Sequence, residues 1–337
     1  MKQNRRNFLK TAGALGAVAV TGAMPAAIAE SRPSGTSAKG YAKGLTLLTM
    51  RRNGEYRLGV KLEQGILDVL EAAKLLHMRA PSTVDELLAN EDGPALNALV
   101  TAAQKSKAAQ KAFVKEESIE YGPAVTRPDK IVCVGLNYKR HAQEVGLKPG
   151  KVPVLFSKYN NALSAHNQPL KLPTKVATKF DYEIELVMGK VAKDVSEEDA
   201  LSYVAGYASG NDFTARDLQL ETGGQWMIGK TPDQFAPLGP YLVTADQIPD
   251  PNNLKLECRV NGETRQSWNT NDMIFNCKQI ISYISGRITM KPGDIIFTGT
   301  PQGVIQGYPP EKRVWLKAGD KIACSVEKLG ELKFDLA

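Results

Sequence analysis

Acid–base and metal chemistry need carboxylates, imidazoles and amines at close quarters, and the segment Asp181-Tyr182-Glu183-Ile184-Glu185-Leu186 offers two carboxylates two residues apart inside an apolar run. In an extended strand, positions i and i+2 share a face, so Glu183 and Glu185 project together. Paired carboxylates repel and are costly to desolvate unless a cation lies between them, and a hard divalent metal meets that need. The alternative is the solvated face of an edge strand. His141 and Glu144 stand three apart, and in a helical turn the carboxylate would orient the imidazole as a general base, although such pairs also serve structure alone. Asp212 lies where a strand-like run gives way to a turn, either as a helix N-cap or as a third oxygen ligand. Lys230 sits in a Gly- and Pro-containing loop, and Phe297–Val304 ends a strand in a tight loop whose amides could hold an anion.

The elements that must position these groups are mostly strands. Ile131–Gly135 reads as a buried strand that ends in glycine and delivers His141 and Glu144. From Arg127 onward the chain consists of short strands broken by Gly, Pro and Asn, long enough for one large, mainly β domain over 128–337. Before it, residues 41–125 read as a small α+β domain. Leu45–Met50 and Tyr56–Leu62 form a hairpin across Asn53-Gly54, Thr83 and Glu86 make a capping box, and Leu96, Leu99, Val100 and Ala103 repeat at helical spacing. His77, the one histidine of this part, carries no chemistry.

At the amino terminus, Arg5-Arg6 precede a mildly apolar run and Ala27-Ile28-Ala29, an export signal of the twin-arginine type over residues 1–29 with cleavage near Ala29. The run is too short and too rich in Gly, Ala and Thr for the roughly 20 strongly apolar residues of a membrane span. Residues 30–40 follow as a linker. The signal carries Lys2, Arg5, Arg6 and Lys10 and no acid, so the formal charge of +7 falls to +3 in the mature chain. Lys105, Lys107, Lys111 and Lys115 read as a solvated helix face, so nucleic acid is not an expected partner. Cys133, Cys258, Cys277 and Cys324 are widely spaced, with no zinc or redox motif, and read as buried free thiols.

The set and order of these motifs resembles the fumarylacetoacetate hydrolase family. The resemblance rests on Gly135-Leu136-Asn137-Tyr138 with His141 and Glu144, Asp181–Leu186, Asn211-Asp212 with Ala215-Arg216-Asp217, Gly229-Lys230, Pro237–Pro240 and Gly299-Thr300-Pro301. It is nearest to the domain-containing-protein-2 branch and to bacterial diketo-acid hydrolases. It implies an α+β, mainly β fold with a roll or sandwich over 128–337, a homodimer, and Mg²⁺ or Mn²⁺ held by Glu183, Glu185 and Asp212. It also implies His141 and Glu144 as an acid/base dyad, Lys230 as stabiliser of developing negative charge, and Arg216, Gln219 and Thr300 as holders of a keto-acid carboxylate. Metal-dependent hydrolysis of a C–C bond in 1,3-diketo acids is the first expected reaction. Decarboxylation or tautomerisation of oxaloacetate-type acids comes next, and non-catalytic keto-acid binding is the last alternative. Lys158-Tyr159 and Ala165-His166 depart from the family pattern at the expected pocket rim. Replacing Arg5-Arg6 with Lys-Lys should hold the protein in the cytoplasm, because the signal depends on the guanidinium pair and not on charge alone. Cell fractionation checks this, and undiminished export would point to another route.

Overall fold

The computed structural model describes residues 39–148, 150–189 and 193–337, with the backbone alone over 185–189. The signal (1–29) and most of the linker (30–38) lie outside the described residues. Strands β1 (Thr46–Arg52), β2 (Glu55–Leu62) and β3 (Gly65–Asp68) lead into helices α1 (Val69–Leu76), α2 (Val84–Asn90) and α3 (Gly93–Lys105), then the short β4 (Phe113–Val114). Next come β5 (Ile131–Gly135), α4 (Lys139–Glu144), β6 (Val154–Lys158), β7 (Ile184–Gly189), β8 (Gly206–Asn211), α5 (Arg216–Leu220), α6 (Met227–Lys230) and β9 (Leu242–Thr244). The chain closes with β10 (Lys255–Val260), β11 (Glu263–Asn269), α7 (Cys277–Ser285), β12 (Ile295–Phe297), β13 (Lys321–Val326) and β14 (Glu331–Asp335).

Ten of these strands run in one sheet in the order β4-β3-β2-β1-β9-β8-β7-β12-β5-β6, and Glu120–Tyr121 pairs alongside β1. Every pairing in it is antiparallel except β12 with β5. A second sheet has the order β11-β10-β13-β14. One hydrophobic cluster joins Val132, Ile184, Tyr207 and Val243 of the large sheet to Leu256, Ile322 and Phe334 of the small sheet and to Ile280, Ile281 and Ile284 of α7. The opposite face of the large sheet packs on α1, α2 and α3. The protein is therefore α+β and mainly β.

The Asn53-Gly54 signal closes the β1–β2 hairpin, with φ of 54° and 82° as the tight turn requires. Thr83 caps α2 through the Glu86 amide, but the Glu86 carboxylate returns to the Ser82 amide at 2.8 Å, one residue earlier than a capping box predicts. Leu96, Leu99, Val100 and Ala103 form the buried stripe of α3 as expected.

The expected boundary near residue 125 is bridged in two ways. β1 pairs with β9, with Thr46 opposite Val243, so the amino-terminal strands extend the sheet that carries the candidate site. Leu47, Val60 and Leu99 also share one core cluster with Ile131, Cys133 and Phe297. Strand-like runs and helical stripes specify local elements, whereas which strand edge a β1 finds is a non-local matter that the residues near β1 do not announce.

His166 accepts a hydrogen bond at Nδ1 from the Lys333 amide of β14 and meets Tyr121 edge-on. Burial, reinforced by the Lys333 ammonium, lowers its pKa from 6.5 to about 4. The unfolded chain thus takes up this proton at higher pH than the folded one. His166 contributes stability that is present above about pH 6.5 and lost as pH falls towards 4. Urea midpoints of native protein and His166→Gln, compared from pH 7 to pH 4.5, should therefore converge on acidification.

Candidate active site

The strand directions account for the gathering of functional groups at one edge. Glu183 immediately precedes β7 and Asp212 immediately follows β8, and in this antiparallel pair Ile184 is opposite Asn211. The Asp212 amide donates to the Glu183 carbonyl at 2.8 Å, which fixes the two carboxylates as neighbours. β12 is antiparallel to β7 and parallel to β5, so the loops leaving β12 and β5 emerge at the same edge. Those loops deliver Thr300 and His141. They touch at Gly299, where φ is 103° and an added Cβ would stand 2.8 Å from Asn137 Cβ, so only glycine permits the contact.

His141 rises from α4, whose turn places its Nδ1 3.2 Å from Glu144 Oε2. The other Glu144 oxygen accepts from the Gly303 amide at 2.9 Å, which ties α4 to the loop after β12. A proton on Nδ1 directed at Glu144 leaves Nε2 as the proton acceptor. His141 lines the central cavity, and Glu144 stands behind it.

Arg216, at the start of α5, is held on three sides. Its Nε donates to Asp181 Oδ2 at 2.9 Å, Nη1 to Gln219 Oε1 at 2.9 Å and Nη2 to Glu183 Oε1 at 2.8 Å. Gln219 thereby turns its oxygen to Arg216. Lys230 Nζ donates to Asp212 Oδ2 at 2.6 Å and to Glu183 Oε2, and it lies 5.0 Å from the Phe156 ring centre. Thr300 Oγ1 accepts from Gln266 Nε2 at 2.9 Å. His141, Glu183, Asp212, Arg216, Gln219, Lys230 and Thr300 all border one cavity of about 190 Å³, walled by Phe156, Trp226, Leu147 and Leu220.

These carboxylates and cations are desolvated together. Burial alone would raise the Glu183 pKa, but the charges of Arg216 and then Lys230 overcome it and hold the carboxyl well below its usual range. Burial alone would lower the Lys230 pKa, and Asp212 and then Glu183 reverse the direction and keep it raised. Lys158 is the contrasting case, since burial outweighs the attraction of Asp212 and lowers its pKa.

Glu183 Oε2 and Asp212 Oδ2 converge on one point, and that point holds a cation, the Lys230 ammonium. Asp212 Oδ1 is buried and accepts no well-directed hydrogen bond. Lys158 Nζ pairs with it at 2.6 Å and also donates to the carbonyls of Phe213, Lys230 and Phe235. Two carboxylates whose oxygens converge on a buried cation point are the hard donors a divalent ion takes. Among the described residues no three His, Cys, Asp or Glu side chains form a complete set, and the third expected ligand, the Glu185 side chain, lies outside the described residues.

The edge-strand alternative for Glu183 does not hold, because β7 is flanked on both sides and Glu183 is 5% exposed. Nor is Asp212 an N-cap, a position that Ala215 takes at α5. The loop after β12 does hold anions with its amides, but they are the protein's own. Gly303 N binds Glu144, and Ile305 N and Gln306 N bind Asp181 at 2.9 and 3.0 Å. Sequence reasoning missed Asp181 as the anchor of Arg216. Lys158, expected at the pocket rim, points inward and is 2% exposed. A carboxylate at the head of an apolar strand was the available signal for Asp181, whereas nothing local marks Lys158.

With this geometry in view, comparison with known proteins is specific. The sequence profile described as fumarylacetoacetate (FAA) hydrolase C-terminal matches residues 130–337, and a twin-arginine translocation pathway signal profile matches residues 2–22. The chain is 43% identical over 233 residues, 68% of its length and 74% of its relative's, to the mitochondrial oxaloacetate tautomerase Fahd2a of Rattus norvegicus. It is 40% identical to the fumarylacetoacetate hydrolase domain-containing protein 2 homolog of Dictyostelium discoideum, covering 82% of this chain and 91% of that one. The crystal structure of maleylpyruvate hydrolase from Sphingobium sp. SYK-6, in complex with manganese(II) and pyruvate, superposes with a TM-score of 0.69 at 28% identity, over 87% of this chain and 98% of that one. The protein belongs to the fumarylacetoacetate hydrolase family, whose members are enzymes.

Asp181→Asn should break the buried pair with Arg216 and weaken the amide contacts of Ile305 and Gln306. Removing one partner of a buried ion pair costs about 3–5 kcal/mol. Denaturant titration checks this, and a loss below about 0.5 kcal/mol, the range of neutral surface changes, would show that Asp181 does not anchor Arg216.

Proposed function

We propose that this protein is a divalent-metal-dependent enzyme that enolises short 2-oxo carboxylic acids, with keto–enol tautomerisation of an oxaloacetate-type diacid as its net reaction. The observation that carries the reading is the convergence of the His141–Glu144 dyad, the Arg216–Gln219 pair and the Glu183–Asp212 carboxylates on one cavity of about 190 Å³. That volume is below the roughly 300–1,000 Å³ of pockets for drug-sized ligands, as suits a small diacid. The identity to an oxaloacetate tautomerase supports the same reaction.

In this reading Arg216 and Gln219, with Thr300 beside them, hold the substrate carboxylate. His141 Nε2 takes a proton from the carbon next to the 2-oxo group as the C=C bond forms, while Glu144 keeps the ring oriented and balances the imidazolium charge. Proton return to the former carbonyl oxygen completes the enol. The Lys230 ammonium faces the negative charge that develops there. Glu183, Glu185 and Asp212 would hold Mg²⁺ or Mn²⁺, which supplies Lewis-acid stabilisation of that charge when bound. Phe156, Trp226 and Leu147 keep bulk water from the site.

Hydrolytic C–C cleavage is the second reading, favoured by the structural likeness to maleylpyruvate hydrolase. It asks the same dyad to activate a water. The enzyme would work as a homodimer, in the periplasm or wherever twin-arginine export delivers it.

Oxaloacetate and acylpyruvates, followed by enol absorbance and product mass, separate the readings. Loss of enol absorbance without change of mass supports the tautomerase, and two carboxylate products support the hydrolase. His141→Asn should lower either rate by about 10²–10⁴-fold, the usual weight of a general base. Glu144→Gln should lose nearly as much without further loss in the double variant, because the pair acts as a unit. EDTA should abolish activity and added Mn²⁺ restore it; full activity in EDTA would overturn the metal-dependent mechanism.

A further inference from the structure

The small sheet holds a thiol pair in an unusual position. β10 and β13 are antiparallel neighbours, and their register sets Cys258 directly opposite Cys324. The two sulfurs are 3.4 Å apart and both residues are fully buried. Directly opposed residues of an antiparallel pair have Cα atoms about 4.5–5.5 Å apart, within the roughly 4.4–6.8 Å that a disulfide spans. Cys324 Sγ also accepts a hydrogen bond from Asn211 Nδ2 at 3.2 Å. The other end of that side chain, Asn211 Oδ1, accepts from the Glu183 amide at 3.2 Å. Asn211 closes β8 and is followed by Asp212, so one asparagine separates the thiols from both carboxylates of the cation point.

We propose that Cys258 and Cys324 form a latent disulfide, closed by a hydroperoxide such as hydrogen peroxide, and that closure loosens the Asn211 bond that holds the Glu183 backbone. The twin-arginine signal matched at residues 2–22 marks the chain for export, out of the compartment where thiols are kept reduced. Complete burial excludes a protein disulfide as oxidant and admits a small neutral one. One sulfur, as thiolate, attacks a peroxide oxygen; the O–O bond breaks, hydroxide leaves and takes up the thiol's proton as water, and a sulfenic acid remains. The second sulfur then attacks the first, the S–O bond breaks, and a second water departs with its proton. Two thiols and one hydrogen peroxide thus give one disulfide and two waters, the sulfurs oxidised and the peroxide oxygens reduced. Burial, together with the hydrogen bond to Cys324, raises the Cys258 thiol well above its ordinary pKa, so closure is slow and registers sustained exposure. Contraction from 3.4 Å to a bond of about 2.05 Å moves the sulfur that Asn211 contacts.

The test treats the full mature protein with hydrogen peroxide, alkylates it under denaturing conditions and maps its peptides. The expected result is an intact chain lighter by two hydrogen masses before alkylation, a peptide linking Cys258 to Cys324, and reversal by dithiothreitol. Hydrogen–deuterium exchange should then rise in peptides spanning Glu183 while it falls or holds across β10 and β13. A disulfide without such transmission would slow exchange or leave it unchanged everywhere. Cys258→Ala should show neither the link nor the rise, and the native-chain readouts stand even if that variant folds poorly. Both thiols remaining open to alkylation would overturn the disulfide, and a link with unchanged exchange at Glu183 would overturn the transmission. Neither readout depends on bound metal or on turnover.

Discussion

Charge balance inside the sheet edge is the constraint on which the rest of the structure depends. Asp181, Glu183 and Asp212 face Arg216, Lys158 and Lys230, and none of the six is more than 6% exposed. A single ion of this kind would cost several kcal/mol to bury even after relaxation, so each must be positioned before its neighbours are tolerable. The backbone bond between Asp212 and Glu183 does this for two of them, and Asp181 does it for Arg216. The opposite pKa directions of the two lysines follow from the same balance. Lys230 has two carboxylates and stays charged, whereas Lys158 shares Asp212 with Lys230 and is driven towards neutrality.

That balance also decides what is left for a ligand. The amides best placed to bind an anion, those of Gly303, Ile305 and Gln306, are spent on Glu144 and Asp181. The cavity itself is bordered instead by the side chains of Arg216, Gln219 and Thr300. The same contacts fix Glu144 and, through it, the His141 ring. The Glu144 carboxylate packs against Gly307, where an added Cβ would lie 2.1 Å from its Cδ, so the dyad is held from behind by the loop that also carries Thr300.

Much of this was legible in the residues and some of it was not. Glu183, His141, Asp212 and Lys230 stand out because charged or titratable groups inside or beside apolar strand runs need a reason, and the structure brings them to one cavity. The hairpin at Asn53-Gly54 and the stripe of α3 were equally plain, since turn chemistry and helical period are local. The roles of Asp181 and Lys158 are not legible in the sequence, because they are defined by partners far along the chain, Ile305 and Gln306 for one and the carbonyls of Phe213, Lys230 and Phe235 for the other. The sharing of one sheet between β1 and β9 is not legible for the same reason.

The shared sheet constrains how the molecule must be made. β1 closes on β9, β5 on β12, and β10 on β13, so the large sheet and the small one both wait for strands from the final third of the chain. Folds dominated by pairings of high sequence separation are slow, because loop closure precedes the contacts that reward it. Unpaired edges such as β6, which exposes Val154 and is followed by exposed Tyr159, would meanwhile be open to wrong partners. A chain of this topology is poorly suited to crossing a membrane unfolded and completing its sheet on the far side. The twin-arginine route carries folded cargo, and the signal of that type at residues 2–22 therefore agrees with the fold, since the sheet, the charge cluster and the cation point can be assembled before departure.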